Sequence, residues 1–114
     1  MLNIETLEQL KQLLESQPAV LLLFGGEHCG VCQALKPRIS AMLADEYPLL
    51  QAAYIDCQGP GQQLSAQMSI FSLPVVQVYF DGEKFAELQR VFSLADLREA
   101  IDRPYRLSFE SWGK

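Results

Sequence analysis

Six consecutive apolar residues, Ala19-Val20-Leu21-Leu22-Leu23-Phe24, constrain this chain more than any other feature. The run is too short for a packed helix. Pro18 bounds it on one side and Gly25-Gly26 on the other, so it reads as a buried strand. A strand with no polar face has to be covered on both sides, which points to helices laid on a sheet.

The flanking sequence supplies those helices. Thr6-Leu7-Glu8-Gln9 matches a capping box, and Leu7, Leu10, Leu13 and Leu14 follow at helical spacing, predicting a helix over 6–16 that Pro18 stops. After the buried strand, Val31, Ala34, Leu35, Ile39, Met42 and Leu43 mark one face of a long helix from Gly30 to about Glu46, with Pro37 inside it. Gln51–Asp56 reads as a second strand and Gln62–Met68 as a short helix. Val75–Phe80 and Lys84–Phe92 read as a hairpin about the Asp81-Gly82 turn. Ser93-Leu94-Ala95-Asp96 opens a last helix that continues to Asp102 and that Pro104 is expected to end. The first two strands, joined by a helix, should be parallel through a right-handed crossover, and the last two antiparallel. The expected architecture is α/β, a mixed sheet with helices on both faces.

Chemistry concentrates where the buried strand gives way to the long helix, at Cys29-Gly30-Val31-Cys32. Helix N-terminal N–H groups stabilise negative charge, which favours thiolate over thiol, and the thiolate is the nucleophile. Three cysteines, two of them in one close pair, do not form the even framework of a disulfide-stapled secreted domain. In a reducing compartment such a pair points to catalysis or metal binding. The metal alternative would recruit Cys57 and His28 beside Cys29 and Cys32. Acidic groups outnumber basic ones, 14 to 9, giving a net charge of −5. That argues against nucleic acid or an anionic membrane as partner. No apolar run approaches the roughly 18 to 20 residues that span a bilayer, and Met1-Leu2-Asn3-Ile4-Glu5 lacks the features of a secretory signal. The default expectation is a cytoplasmic protein.

Taken together these segments resemble the thioredoxin family. The strand ending in Phe24 and leading to the CxxC, Pro37 five residues after Cys32, Ile55-Asp56 closing the next strand, and Ser72-Leu73-Pro74-Val75 before the hairpin occur in the family's order, over about residues 5–102. The resemblance implies a thioredoxin fold with a four-stranded mixed sheet, or five if the family's N-terminal strand is present. It implies a thioredoxin-like domain over 1–104 and an added tail, 105–114, in which Tyr105, Leu107, Phe109 and Trp112 alternate. That tail is expected to pack back on the domain, with a partner or dimer contact as the alternative.

The implied activity is thiol–disulfide exchange with protein disulfides. Cys29 would attack, Cys32 would resolve the mixed disulfide, and Gly30, Val31, Leu73 and the family's cis-proline, Pro74, would bind substrate. No cofactor is implied beyond the redox-active disulfide, and no metal. A thioredoxin reductase or a small thiol would recharge the dithiol, and the protein would be a monomer or weak dimer. Phe71 would add to the apolar surface that recognises extended segments.

The chain also departs from the family. His28 stands where an aromatic residue is usual, Leu23 where a buried Asp is usual, and Ala52 where a Lys is usual. His28, whose type ionises near pH ~6.5, and Glu27 become the candidates for tuning the cysteines, and a couple less reducing than that of the usual thioredoxin is expected. Lys36 and Cys57 are expected to be, respectively, a solvated helix residue and a bystander thiol. A non-catalytic redox-sensing or protein-binding module is the alternative that the missing Asp and Lys favour.

Overall fold

Thr6 starts the first helix, α1 (Leu7–Ser16), by the capping box its sequence spells. Its Oγ1 accepts from the Gln9 N–H at 3.1 Å, and Gln9 Oε1 accepts from the Thr6 N–H at 3.3 Å. The structure, a computed structural model, describes residues 1–109. Two residues, β1 (Leu2–Asn3), precede α1, and β2 (Ala19–Gly25), α2 (Gly30–Glu46), β3 (Gln51–Asp56) and α3 (Gln62–Gln67) follow it. The chain closes with β4 (Val75–Phe80), β5 (Glu83–Gln89) and α4 (Leu94–Phe109).

The sheet has five strands in the order β1-β3-β2-β4-β5. The short β1 is therefore present, pairing parallel to β3 through Leu2 and Asn3. β2 lies parallel to β3, with Leu23 opposite Tyr54 and Gly25 opposite Asp56, and antiparallel to β4, with Phe24 opposite Val75. Every residue of β2 is buried. Alternate side chains enter two cores. Ala19, Leu21 and Leu23 pack with α2 and α4, whereas Val20, Leu22 and Phe24 pack with Leu10 and Leu13 of α1 and Leu64 of α3. The continuous apolar run thus follows from coverage on both faces. Fully burying each Leu or Phe of it contributes about 1.5–3 kcal/mol.

The hairpin turns on Asp81 (φ 53°) and Gly82 (φ 79°), both left-handed as a two-residue primed turn requires. Between the Val78–Ala86 and Tyr79–Lys84 pairs Phe85 is an extra residue, a bulge that periodicity did not reveal. β5 ends at Gln89, short of the expected Phe92.

The expected stop at Pro104 is overturned. α4 runs through it to Phe109, and Tyr105 is buried in the core of the α2 and α4 face. Its ring meets Tyr47 edge-on at 5.0 Å and Phe109 at 4.9 Å. The first part of the expected tail therefore packs on the domain as the last turns of a helix. Trp112 lies outside the described residues.

Candidate functional site

The three strand ends that matter meet on one edge of the sheet. Because β3 is parallel and β4 antiparallel to β2, the C-termini of β2 and β3 and the N-terminus of β4 lie together. Gly26, Glu27 and His28 leave β2 there, Cys57 leaves β3, and Leu73-Pro74 enters β4, with the Leu73–Pro74 peptide bond cis.

The loop before the cysteines is fixed by hydrogen bonds. The Cys29 N–H donates to Gly26 O at 3.1 Å and the Cys57 N–H to Gly25 O at 2.8 Å. Gln58 Oε1 accepts from the His28 N–H at 2.7 Å, and Gln33 Nε2 donates to Gly26 O at 3.0 Å. Cys29 is the N-cap of α2. Its backbone is extended (φ −102°, ψ 99°) and its Sγ accepts from the Cys32 N–H at 3.2 Å. A sulfur in that position takes the place of the usual capping oxygen, in the field of a 17-residue helix. Cys29 and Cys32 are joined as a disulfide. Cys29 is half-buried, whereas Cys32 is 0% exposed. The asymmetry suits one sulfur that meets substrate and a second that closes the bond behind it.

Around the pair, Gly30 and Val31 are exposed, Val31 by 58%. Glu27 and His28 are also exposed. Leu73 is partly buried. It lines a shallow groove with Ile70, Phe71 and Cys57, and Phe71 itself is 84% exposed. Leu23 and Ala52 lie in or against the apolar core of the α2 face, so no charge is present at either place. Among the described residues no three His, Cys, Asp or Glu side chains converge as metal ligands.

Four side chains matter more than the sequence suggested. Gln33 and Gln58 pin the loop. Tyr54 sits under the site, its hydroxyl accepting from Gln33 Nε2 at 3.4 Å. Lys36, expected to be solvated, is half-buried with its Nζ 4.0 Å from the Tyr54 ring centre. Burial and the nearby Asp56 charge push the Tyr54 phenol up. Only the register of β3 against β2, which puts Tyr54 beside Leu23, could have singled it out.

Known proteins bear on this geometry. A family model described as Thioredoxin matches residues 2–103. The chain is 22% identical over 107 residues to the thioredoxin-like protein YdfQ of Bacillus subtilis, covering 94% of each. It is 31% identical over 86 residues to putative thioredoxin-4 of Dictyostelium discoideum, covering 75% of this chain and 80% of that protein. The X-ray structure of Fasciola hepatica thioredoxin matches with a TM-score of 0.79 at 26% identity, over 90% of this chain and 98% of that one.

Proposed function

This chain belongs to the thioredoxin family, and from that premise we propose the roles of its residues. It is a thiol–disulfide oxidoreductase. Cys29 is the attacking thiolate: its sulfur bonds to one sulfur of a substrate disulfide, and the other substrate sulfur departs with the electron pair and takes up a proton. Cys32 then bonds to Cys29, the bond between Cys29 and substrate breaks, and the substrate leaves as a dithiol while the protein is left oxidised. The observation that carries this reading is the contrast between a half-exposed Cys29 capping α2 and a fully buried Cys32 within bonding distance.

Substrates are protein disulfides in extended segments. Gly30, Val31 and Leu73, the last held by the buried Pro74, form the surface that receives them, supported by the exposure of Val31 and the apolar groove beside Leu73. His28 and Glu27 tune the pair, and with uncharged Leu23 and Ala52 nearby the couple is less reducing than that of the usual thioredoxin. The dithiol needs no further cofactor, and a thioredoxin reductase or a small thiol returns it to the reduced state. The redox unit is residues 1–104 extended by the last turns of α4, which carry Tyr105 into the core, acting as a monomer or weak dimer. The setting is the cytoplasm. Among the described residues no helix is long and apolar enough to cross a membrane, and the net charge of −5 disfavours nucleic acid.

Insulin reduction with dithiothreitol as electron donor tests the reading. Turnover that Cys29→Ser abolishes, by a factor of about a hundred or more, is expected. Reversible Cys29–Cys32 oxidation without turnover would instead favour a redox-sensing module, the reading that apolar Leu23 and Ala52 support.

A further inference from the structure

To resolve a mixed disulfide Cys32 must attack as a thiolate. Cys32 is fully buried, and burial in apolar surroundings favours the protonated thiol. Its proton therefore needs an exit. On the Cys29 side the Cys32 backbone N–H is already directed at Sγ. On the sheet side stands Gly25. A Cβ at that residue would lie 3.0 Å from Cys32 Cβ and equally 3.0 Å from the Tyr54 hydroxyl oxygen. The Tyr54 hydroxyl and the Cys32 Cβ thus both border the space that a side chain at residue 25 would fill.

The hydroxyl is held in place. Gln33 Nε2 donates to it at 3.4 Å and to Gly26 O at 3.0 Å, and Lys36 lies 4.0 Å from the ring centre. Outward, the same residues open on a surface pocket of about 420 Å³, whose lining includes Glu27, Gln33, Lys36, Tyr54 and Asp56. It is polar and large enough for several waters, at about 30 Å³ each.

We propose that Tyr54 is the proton-relaying residue of the resolving step, the link through which Cys32 loses its proton to this pocket. The Cys32 thiol gives its proton to the Tyr54 oxygen as the Tyr54 proton passes to a pocket water and on to the Glu27 carboxylate. Cys32 Sγ then bonds to Cys29 Sγ, the Cys29–substrate bond breaks, and the departing sulfur takes the electron pair and is protonated from water. Tyr54 ends as a neutral phenol, the form that its burial and Asp56 favour. The groups facing the hydroxyl are Glu27, Lys36 and Asp56, with the Cys57 thiol nearby and Glu5 across the pocket. The inference rests on the oxidoreductase reading.

The test uses the full chain, reduced and mixed rapidly with a disulfide-linked peptide, with alkylation quenching at intervals to read formation and decay of the mixed disulfide. Tyr54→Phe is expected to slow decay about tenfold relative to formation at pH 7, with the gap closing toward pH 9 as hydroxide takes the proton directly; a tenfold change matches about one pKa unit. Decay within twofold of wild type from pH 6 to 9 would overturn the proposal. Should Tyr54→Phe not fold, Glu27→Gln carries the same test, with slowing confined to neutral pH expected and an unchanged profile overturning it. A wild-type chain that forms no mixed disulfide overturns the oxidoreductase reading instead. Tyr54 is then tested separately by iodoacetamide labelling of Cys32 in a Cys29→Ser chain. About tenfold slower labelling with Tyr54→Phe supports the link, and equal labelling overturns it.

Discussion

A thiol's reactivity follows from what its sulfur faces, and the three cysteines face three different things. Cys29 caps a helix and meets solvent, and Cys32 is sealed behind it. Cys57, one residue beyond β3, is half-buried with its Sγ directed at Ile55 O at 3.6 Å. Burial pushes the Cys57 thiol up, outweighing a hydrogen bond with Ser65 that pulls it down. A raised pKa leaves little thiolate at neutral pH. In the reduced protein at pH 7.5, iodoacetamide should therefore label Cys29 at least about tenfold faster than Cys57, as peptide mapping would read. Equal labelling would mean that α2 does not activate its cap. The cysteine pair was legible from its spacing because spacing fixes which sulfurs can meet. Tyr54 was not, because its significance comes from a strand register and from a glycine on the neighbouring strand two residues beyond its partner Leu23.

Pro104 shows at the scale of elements how a local rule loses to packing. Proline inside a helix removes a hydrogen bond and crowds the preceding turn, at a cost of about 3 kcal/mol. Here α4 continues because the next residue is held in the core. Tyr105 packs edge-on against Tyr47, contacts Phe109, and accepts a hydrogen bond from the Leu49 N–H at 3.2 Å. Tyr105→Ala should destabilise the protein by about 3–5 kcal/mol in urea unfolding, by analogy with large aromatic truncations. Tyr105→Phe, which keeps the ring and loses one hydrogen bond, should cost about 1 kcal/mol. An alanine variant as stable as wild type would show that the helix end is not part of the core. The helices and strands with strong periodicity were readable from sequence. The bulge at Phe85 was not, since it comes from two strands accommodating each other.

Across the whole molecule, α2 and α4 are clasped by polar groups that titrate. Arg98 donates to both carboxylate oxygens of Glu46, at 2.6 and 2.8 Å, and the Tyr47 hydroxyl donates to Asp102 at 3.2 Å. The Arg98 hydrogen bond holds the Glu46 carboxyl below its usual 4.5. Bonds from Lys84, Gln89 and Gln77 do the same for Glu87 on β5. Burial, then the Asp102 charge, pushes the Tyr47 phenol from 10.0 up to about 12. A lowered carboxyl stabilises the fold above its unfolded pKa and loses that contribution as pH falls through the folded one. A raised phenol stabilises below its unfolded pKa and loses it as pH rises through the folded one. Urea midpoints should therefore be level from about pH 4.5 to 9 and decline on both sides, the alkaline decline beginning with the raised Cys57 thiol above 9.0 and continuing with Tyr47 from 10.0 toward about 12. A midpoint that rises between pH 10.0 and 12 would contradict the Tyr47 contribution. The α/β class, the element order and the position of the dithiol could be read from the chain alone, because apolar periodicity, capping residues and CxxC spacing act over a few neighbouring residues. That β1 joins the sheet, that α4 passes through Pro104 and that the Tyr54 hydroxyl borders the space at Gly25 came from tertiary packing. Each of those outcomes depends on contacts between residues distant in the chain, whose energies no local pattern encodes.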